Sequence, residues 1–293
     1  MATKKRKLHE IPEFYLRGFC EPDSSFVWVF SRLAFFAPGK KLGSNNPAHR
    51  GVGVTALRPD GYRAQTAYYG SAVDYEVELA KIESKANRVI AKLRAFGRID
   101  VSEKETLADY IFLMDKRRTK RDEDIRPRLE KEIAKETSEL RSFAGRLADY
   151  GQFNPARRVL KVREYLQTEA GHTEILRKSM INNVGMVRKG LTAKRWQFIK
   201  SAPGSYFVTS DNPVVFDRGF GLRRSPLIFP LAQNLILLAD DSTNEDFSYR
   251  DASPEETRKH NAAIIIFADR EVFSPQPDKW IHTGWTQGFN FIR

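Results

Sequence analysis

The most chemistry in the smallest space lies in Thr209-Ser210-Asp211-Asn212-Pro213, set between Tyr206-Phe207-Val208 and Val214-Val215-Phe216. Two hydroxyls, a carboxylate and an amide stand in four consecutive residues after a β-branched and aromatic run. Such runs on both sides of Asp-Asn-Pro predict strand, turn, strand. Two readings follow. Asp and Asn side chains bond backbone groups two residues on, and Asn before Pro favours extended geometry, which makes an Asx-type turn closing a hairpin. Alternatively the segment aims a rigid carboxylate and amide into a cleft. Glu76 and Glu83, seven residues apart, lie almost in line on a helix at the edge of its apolar stripe. A carboxylate pair there is either a solvated rim or part of a site. Arg118 continues the stripe Leu107, Ile111, Met114, where a guanidinium snorkels or pairs with an acid such as Asp115.

The elements that must position these groups change period along the chain. Pro12 and Gly18 bracket a short aromatic helix, and Ser25 to Ser31 has strand propensity. Loop signals follow from Pro38 to Pro59, with a short strand expected at Gly51 to Ala56, and Tyr62 to Tyr69 reads either as another strand or as an aromatic lead-in to the helix that follows. The middle is helical. Val73 to Phe96 carries apolar residues at a 3.6-residue period, and Ser102 to Arg118 opens with capping-box spacing between Ser102 and Glu105. Pro127 predicts a break before a helix at Leu129 to Ala148, Asn154-Pro155 a loop, and His172 to Val187 a further helix. From Arg195 the pattern turns to strands at Trp196 to Ile199, Leu227 to Leu231 and Leu235 to Ala239. Ser253-Pro254-Glu255-Glu256 is a helix start, and Val272-Phe273 and Trp285 to Ile292 read as edge strands. The expectation is an α+β fold. A mostly antiparallel sheet comes from residues 1–72 and 191–293, with a helical layer, 73–190, inserted in one intimate domain.

Composition narrows the function classes. Over 293 residues, 41% hydrophobic and 12% aromatic content with 20 Phe suffices for a large core. Net charge is +12, from 49 Lys and Arg against 37 Asp and Glu, which favours polyanion partners such as nucleic acid. The single Cys20 excludes an internal disulfide framework and a cysteine-rich zinc site, and points to a reducing, cytoplasmic setting. No run approaches the ~18 apolar residues of a membrane span. Lys4-Lys5-Arg6-Lys7 is followed by His9-Glu10-Ile11-Pro12-Glu13 rather than the apolar core of a signal peptide. P-loop, Rossmann, zincin and nucleophile-elbow motifs are absent. Pro59-Asp60 with Glu83-x-Lys85 matches a nuclease pattern in letters, but its second half falls mid-helix rather than on a strand.

Six stretches in order resemble the family catalogued as domain of unknown function 4238. They are His9-x-x-Pro12-x-Phe14-Tyr15-Leu16-Arg17-Gly18-Phe19, Glu76 with Glu83, Arg118-Thr119, Thr209 to Pro213, Phe229-Pro230-Leu231, and Asn261. The likeness spans nearly the whole chain. It departs at Asp115 and Lys120, where the family often carries Gln and Pro. The resemblance implies candidate positions rather than a reaction. If one cleft gathers them, Glu76, Glu83 and Asp211 can hold Mg²⁺ or Mn²⁺, with Asn212 or water completing the shell. His9 would then serve as general base and Arg118 would stabilise phosphoryl charge. The expectation is a metal-dependent nuclease acting in bacterial defence. The alternative is a nonenzymatic nucleic-acid- or protein-binding module whose polar cluster is a structural network.

Overall fold

The computed structural model describes residues 8–9, 11–35, 47–55, 57–58, 75–116, 119–168, 171–172, 184–216, 225–241, 246–278 and 280–287. The first half holds β1 (Leu8–His9), α1 (Glu13–Leu16), β2 (Phe26–Ser31), α2 (Arg32–Phe35), β3 (Ala48–Gly51), β4 (Leu57–Arg58), α3 (Tyr75–Arg94), α4 (Val101–Lys116) and α5 (Thr119–Asp149). Then come α6 (Phe153–Leu166), α7 (Val184–Thr192), β5 (Arg195–Lys200), β6 (Thr209–Ser210), β7 (Val215–Phe216), β8 (Leu227–Ala232) and β9 (Leu235–Asp240). The chain closes with β10 (Ser248–Asp251), α8 (Pro254–Phe267), β11 (Glu271–Ser274) and α9 (Trp280–Gln287). Among the described residues, no helix is long and apolar enough to cross a membrane.

The chain is α+β, as expected, with its strands mainly in two sheets. A five-stranded sheet has the order β10-β5-β9-β8-β7, with β10 parallel to β5 and the other pairs antiparallel. A four-stranded antiparallel sheet, β3-β2-β11-β6, joins the N-terminal and C-terminal segments. Two compact units divide the chain. The first takes Met1–Gly61, Lys81–Arg118 and Val184–Arg293, and the second takes Tyr62–Ala80 and Thr119–Asn183. The helical layer expected at 73–190 is therefore split. Ala86, Val89, Ile90 and Leu93 of α3, Leu107, Ile111 and Met114 of α4, and Leu191 of α7 share one core with Trp196, Phe198 and Phe229. That burial ties these helices to the strands of the first unit.

In the second unit, α5 and α6 form a helical hairpin, with Arg163 Nε donating to Thr137 O at 3.2 Å. A Schellman turn ends α5: Gly151 N donates to Ala148 O, Gln152 N donates to Leu147 O, and Gly151 takes φ +72°. A side chain at that φ would be strained, so glycine sets the corner.

Several local expectations are corrected. Asp211 to Val214 closes no hairpin: β6 pairs with β11, with Phe273 opposite Thr209, whereas β7 pairs with β8, with Ile228 opposite Val215. The segment crosses from one sheet to the other. The capping box of α4 sits two residues earlier than Ser102 and Glu105, because Asp100 Oδ1 accepts from Glu103 N and Glu103 Oε2 accepts from Asp100 N. Pro127 lies inside α5 rather than at a break, at an exposed position where water can reach the carbonyl left without a donor. Asn154-Pro155 lies in the first turn of α6, where a proline removes no intrahelical donor. The strand expected at Gly51 to Ala56 is replaced: β3 ends at Gly51, and Val52–Val54 form a 3₁₀ turn. Val272-Phe273 lies on the inner strand β11, and Trp285 lies in α9 rather than on an edge strand. The stretch from Tyr62 to Tyr69 lies outside the described residues, as does most of the helix expected from His172. The α8 start is as read, with Ser253 Oγ accepting from Glu256 N at 3.1 Å.

Candidate functional site

The polar residues around Asp211 interlock three parts of the first unit. On the N-terminal side, Pro12 starts α1 and turns Tyr15 inward, fully buried. The Tyr15 hydroxyl donates to Pro230 O of β8 at 2.8 Å and lies 2.9 Å from Thr209 Oγ1 of β6. One hydroxyl thus ties both sheets to the N-terminal segment. Burial pushes the Tyr15 phenol far above its ordinary range. From α3, Arg94 donates to three carbonyls: Leu231 O at 2.8 Å, Tyr15 O at 2.9 Å and Phe14 O at 3.2 Å. Burial lowers its pKa, which a guanidinium tolerates while keeping its charge. Gly18 makes this possible, since a Cβ there would stand 2.3 Å from Arg94 Nη2 and 2.9 Å from Leu231 O.

On the far side, Asp211 reaches the corner between α8 and β11. Its Oδ1 accepts from Asp269 N at 2.9 Å, and its Oδ2 accepts from Arg270 N at 2.9 Å and Arg270 Nε at 3.3 Å. Asn212 Nδ2 donates to Phe267 O, one of the C-terminal carbonyls of α8, at 2.7 Å. Asn212 N donates to Ser210 Oγ at 3.2 Å, so the local turn bond is accepted by a serine hydroxyl rather than by the Asp or Asn side chain that the sequence suggested. Asn261 completes the set from α8: its Oδ1 accepts from Val208 N at 3.0 Å and its Nδ2 donates to Tyr206 O at 2.7 Å. A helix side chain here satisfies backbone groups of the segment entering β6, which otherwise would be buried without partners.

The nominated residues separate accordingly. Asp211 and Asn212 are adjacent and both buried, with 3% and 4% exposure. His9 lies on β1, its backbone opposite Leu57 of β4. Glu76 is in the first turn of α3 and falls in the second unit, whereas Glu83, seven residues on, is half-buried in the first. Arg118 lies outside the described residues. Among the described residues no group of three or more His, Cys, Asp and Glu is placed to hold a metal ion. Asp211 itself fits such an ion poorly. Its oxygens already face two amide N–H groups and a guanidinium, and a divalent cation would have to displace donors and sit beside a positive charge.

Sequence reasoning missed the role of Arg94, which follows the α3 stripe with no pattern to mark it, and the acceptor role of Asp211 toward a corner 58 residues on. It also missed a polar cleft of about 200 Å³ lined by residues of α3, α4 and α7. There Arg188 makes a fork to Asp109, at 2.7 and 2.5 Å. Burial pushes the Asp109 carboxyl up and the Arg188 fork pulls it down, while Asp109 raises Arg188 in turn. Only the covariation of distant segments could have signalled that pair.

An α+β protein whose polar residues around Asp211 hydrogen-bond backbone groups from several parts of the first unit is the class that fold and site define. The chain belongs to the family described as a protein of unknown function (DUF4238), whose model matches residues 7–278. No curated protein and no solved structure matches it.

Proposed function

We propose that this chain is a nonenzymatic nucleic-acid-binding protein in which the Asp211-Asn212 cluster is a structural lock. The observation that carries the reading is the Asp211 carboxylate, which accepts from the Asp269 and Arg270 amides and from the Arg270 guanidinium. The polar groups nominated for chemistry there serve the backbone, so function falls to the surface, where a net charge of +12 favours a polyanion. The single, buried Cys20 fits a cytoplasmic setting. The second reading is Mg²⁺- or Mn²⁺-dependent phosphodiester cleavage. It draws its support from the in-line spacing of Glu76 and Glu83 on α3 and needs His9 and Arg118 beside them.

Fluorescence anisotropy with labelled RNA and DNA across a salt series, run beside a cleavage assay with Mg²⁺, Mn²⁺ or EDTA, tests the proposal. Binding that weakens linearly in log salt, with no cleavage, is expected. Chelator-sensitive cleavage by the wild type that Glu83→Gln abolishes would overturn it in favour of the second reading.

A further inference from the structure

The α5–α6 corner exposes large aromatic rings among cations. Tyr150 is 84% exposed and Phe153 70%, one on each side of the Gly151 turn. A globular surface seldom leaves two such rings uncovered so close in sequence. Each continues a stripe. Phe143, Arg146 and Tyr150 follow i, i+3, i+7 spacing along the end of α5 and into the turn after it, while Phe153, Arg157 and Lys161 follow i, i+4, i+8 along α6. The buried positions of the hairpin are others, with Ile133, Thr137 and Ala144 on α5 and Ala156 on α6. The exposed stripes are therefore not needed to hold the hairpin together.

Charge selects the partner. From Phe143 to Glu164 there are five Lys and Arg against two acids, Asp149 and Glu164. The Arg146 guanidinium lies 5.8 Å from the Phe143 ring centroid, and among the described residues Arg146, Arg157 and Lys161 form no carboxylate pair. Uncommitted cations interleaved with accessible ring faces match the two needs of a single-stranded nucleic acid, phosphate neutralisation and base stacking. A duplex keeps its base faces stacked inside and would leave the rings unused.

We infer that the corner of the α5–α6 hairpin, through Tyr150 and Phe153 with Arg146, Arg157 and Lys161, binds single-stranded nucleic acid. This rests on the nucleic-acid-binding reading above and assigns it a surface and a substrate class. Anisotropy of labelled single-stranded and duplex oligonucleotides of equal length tests it, using the full chain, Tyr150→Ala/Phe153→Ala and Arg157→Ser/Lys161→Ser. These are exposed positions, and thermal melts establish that the variants fold. The wild type should prefer the single strand. Removing both rings should weaken that binding at least about tenfold while leaving the salt slope unchanged. Removing both cations should lower the slope by about 1.4, at ~0.7 per neutralised phosphate on a single strand.

If the wild type binds and the variants match it in affinity and slope, the hairpin assignment falls and the binding reading stands. If the wild type binds no nucleic acid, both fall. Equal affinity for duplex, with no ring dependence, also overturns the inference, as does loss of self-association by the ring variant in analytical ultracentrifugation without loss of nucleic-acid binding.

Discussion

Replacing Asp211 by Ala separates a structural carboxylate from a metal ligand, because the two roles give opposite signs for stability. The side chain accepts two backbone amides at 2.9 Å, from Asp269 and Arg270, and is itself 4% exposed. Hydrogen bonds to a charged group contribute about 1.5–3 kcal/mol each. The Arg270 side chain is 56% exposed, so its ion pair adds at most about 1 kcal/mol. Water can reach the Arg270 end of the corner and re-solvate part of what is lost, which leaves an expected destabilisation of about 3 kcal/mol. For a chain of this size that corresponds to a fall in melting temperature of roughly 6–12 °C. Trp28, Trp196, Trp280 and Trp285 all lie in the first unit, so tryptophan fluorescence in urea reports the unit that contains Asp211. The measurement is made in EDTA. A carboxylate kept for a cation is repelled by its neighbouring acids in the metal-free protein, and its removal leaves stability unchanged or higher. An unchanged or raised urea midpoint for Asp211→Ala would therefore refute the interlock. Asp211→Asn should also destabilise, because its amide turns a donor toward one of the two backbone N–H groups.

The Tyr15 bridge should give a coupling energy: Tyr15→Phe and Thr209→Val each cost about 1–2 kcal/mol, and a double-mutant cycle should show at least about 0.5 kcal/mol of interaction. Strict additivity would mean the 2.9 Å contact contributes nothing. Gly18→Ala should cost about 1–3 kcal/mol by overpacking against Arg94, and adding Arg94→Met should make the second substitution cheaper than in the wild-type background. If the effects simply sum, the close approach at Gly18 is not what requires glycine. Stability should also fall as pH drops from 7 to 5. Burial holds the His260 and His282 pKa values below the ordinary 6.5, with Glu256 opposing at His260. The unfolded chain therefore takes up protons first, and stability present above ~6.5 is lost toward the lower folded-state pKa. His260→Gln should flatten the slope of urea midpoint against pH, with His282 retaining the remainder; an unaltered slope would assign the effect elsewhere.

Element types were largely legible because they depend on neighbours in sequence. The 3.6-residue stripe of α3, the Ser253-Pro254 start of α8 and the apolar runs of β8 and β9 are local patterns, and local patterns decide which face is buried. The family likeness was legible for the same reason, being carried by short motifs in order. Misreadings arose where local preference left two outcomes nearly equal. Pro127 sits on an exposed turn of a long helix that absorbs the loss of one bond, and Asp100 competed with Ser102 for the same cap.

The destination of the polar groups was decided by tertiary structure alone. Nothing local makes Asp211 accept from residues 58 and 59 positions on, puts the Tyr15 hydroxyl between β6 and β8, or sends Arg94 to the carbonyls of α1 and β8. A buried donor or acceptor takes whichever partner the packed core brings within about 3 Å, and that is a property of the assembled sheets. The residue types alone determined that Thr209 to Asn212 would be richly hydrogen-bonded. The crossing from one sheet to the other determined that those bonds hold the fold together.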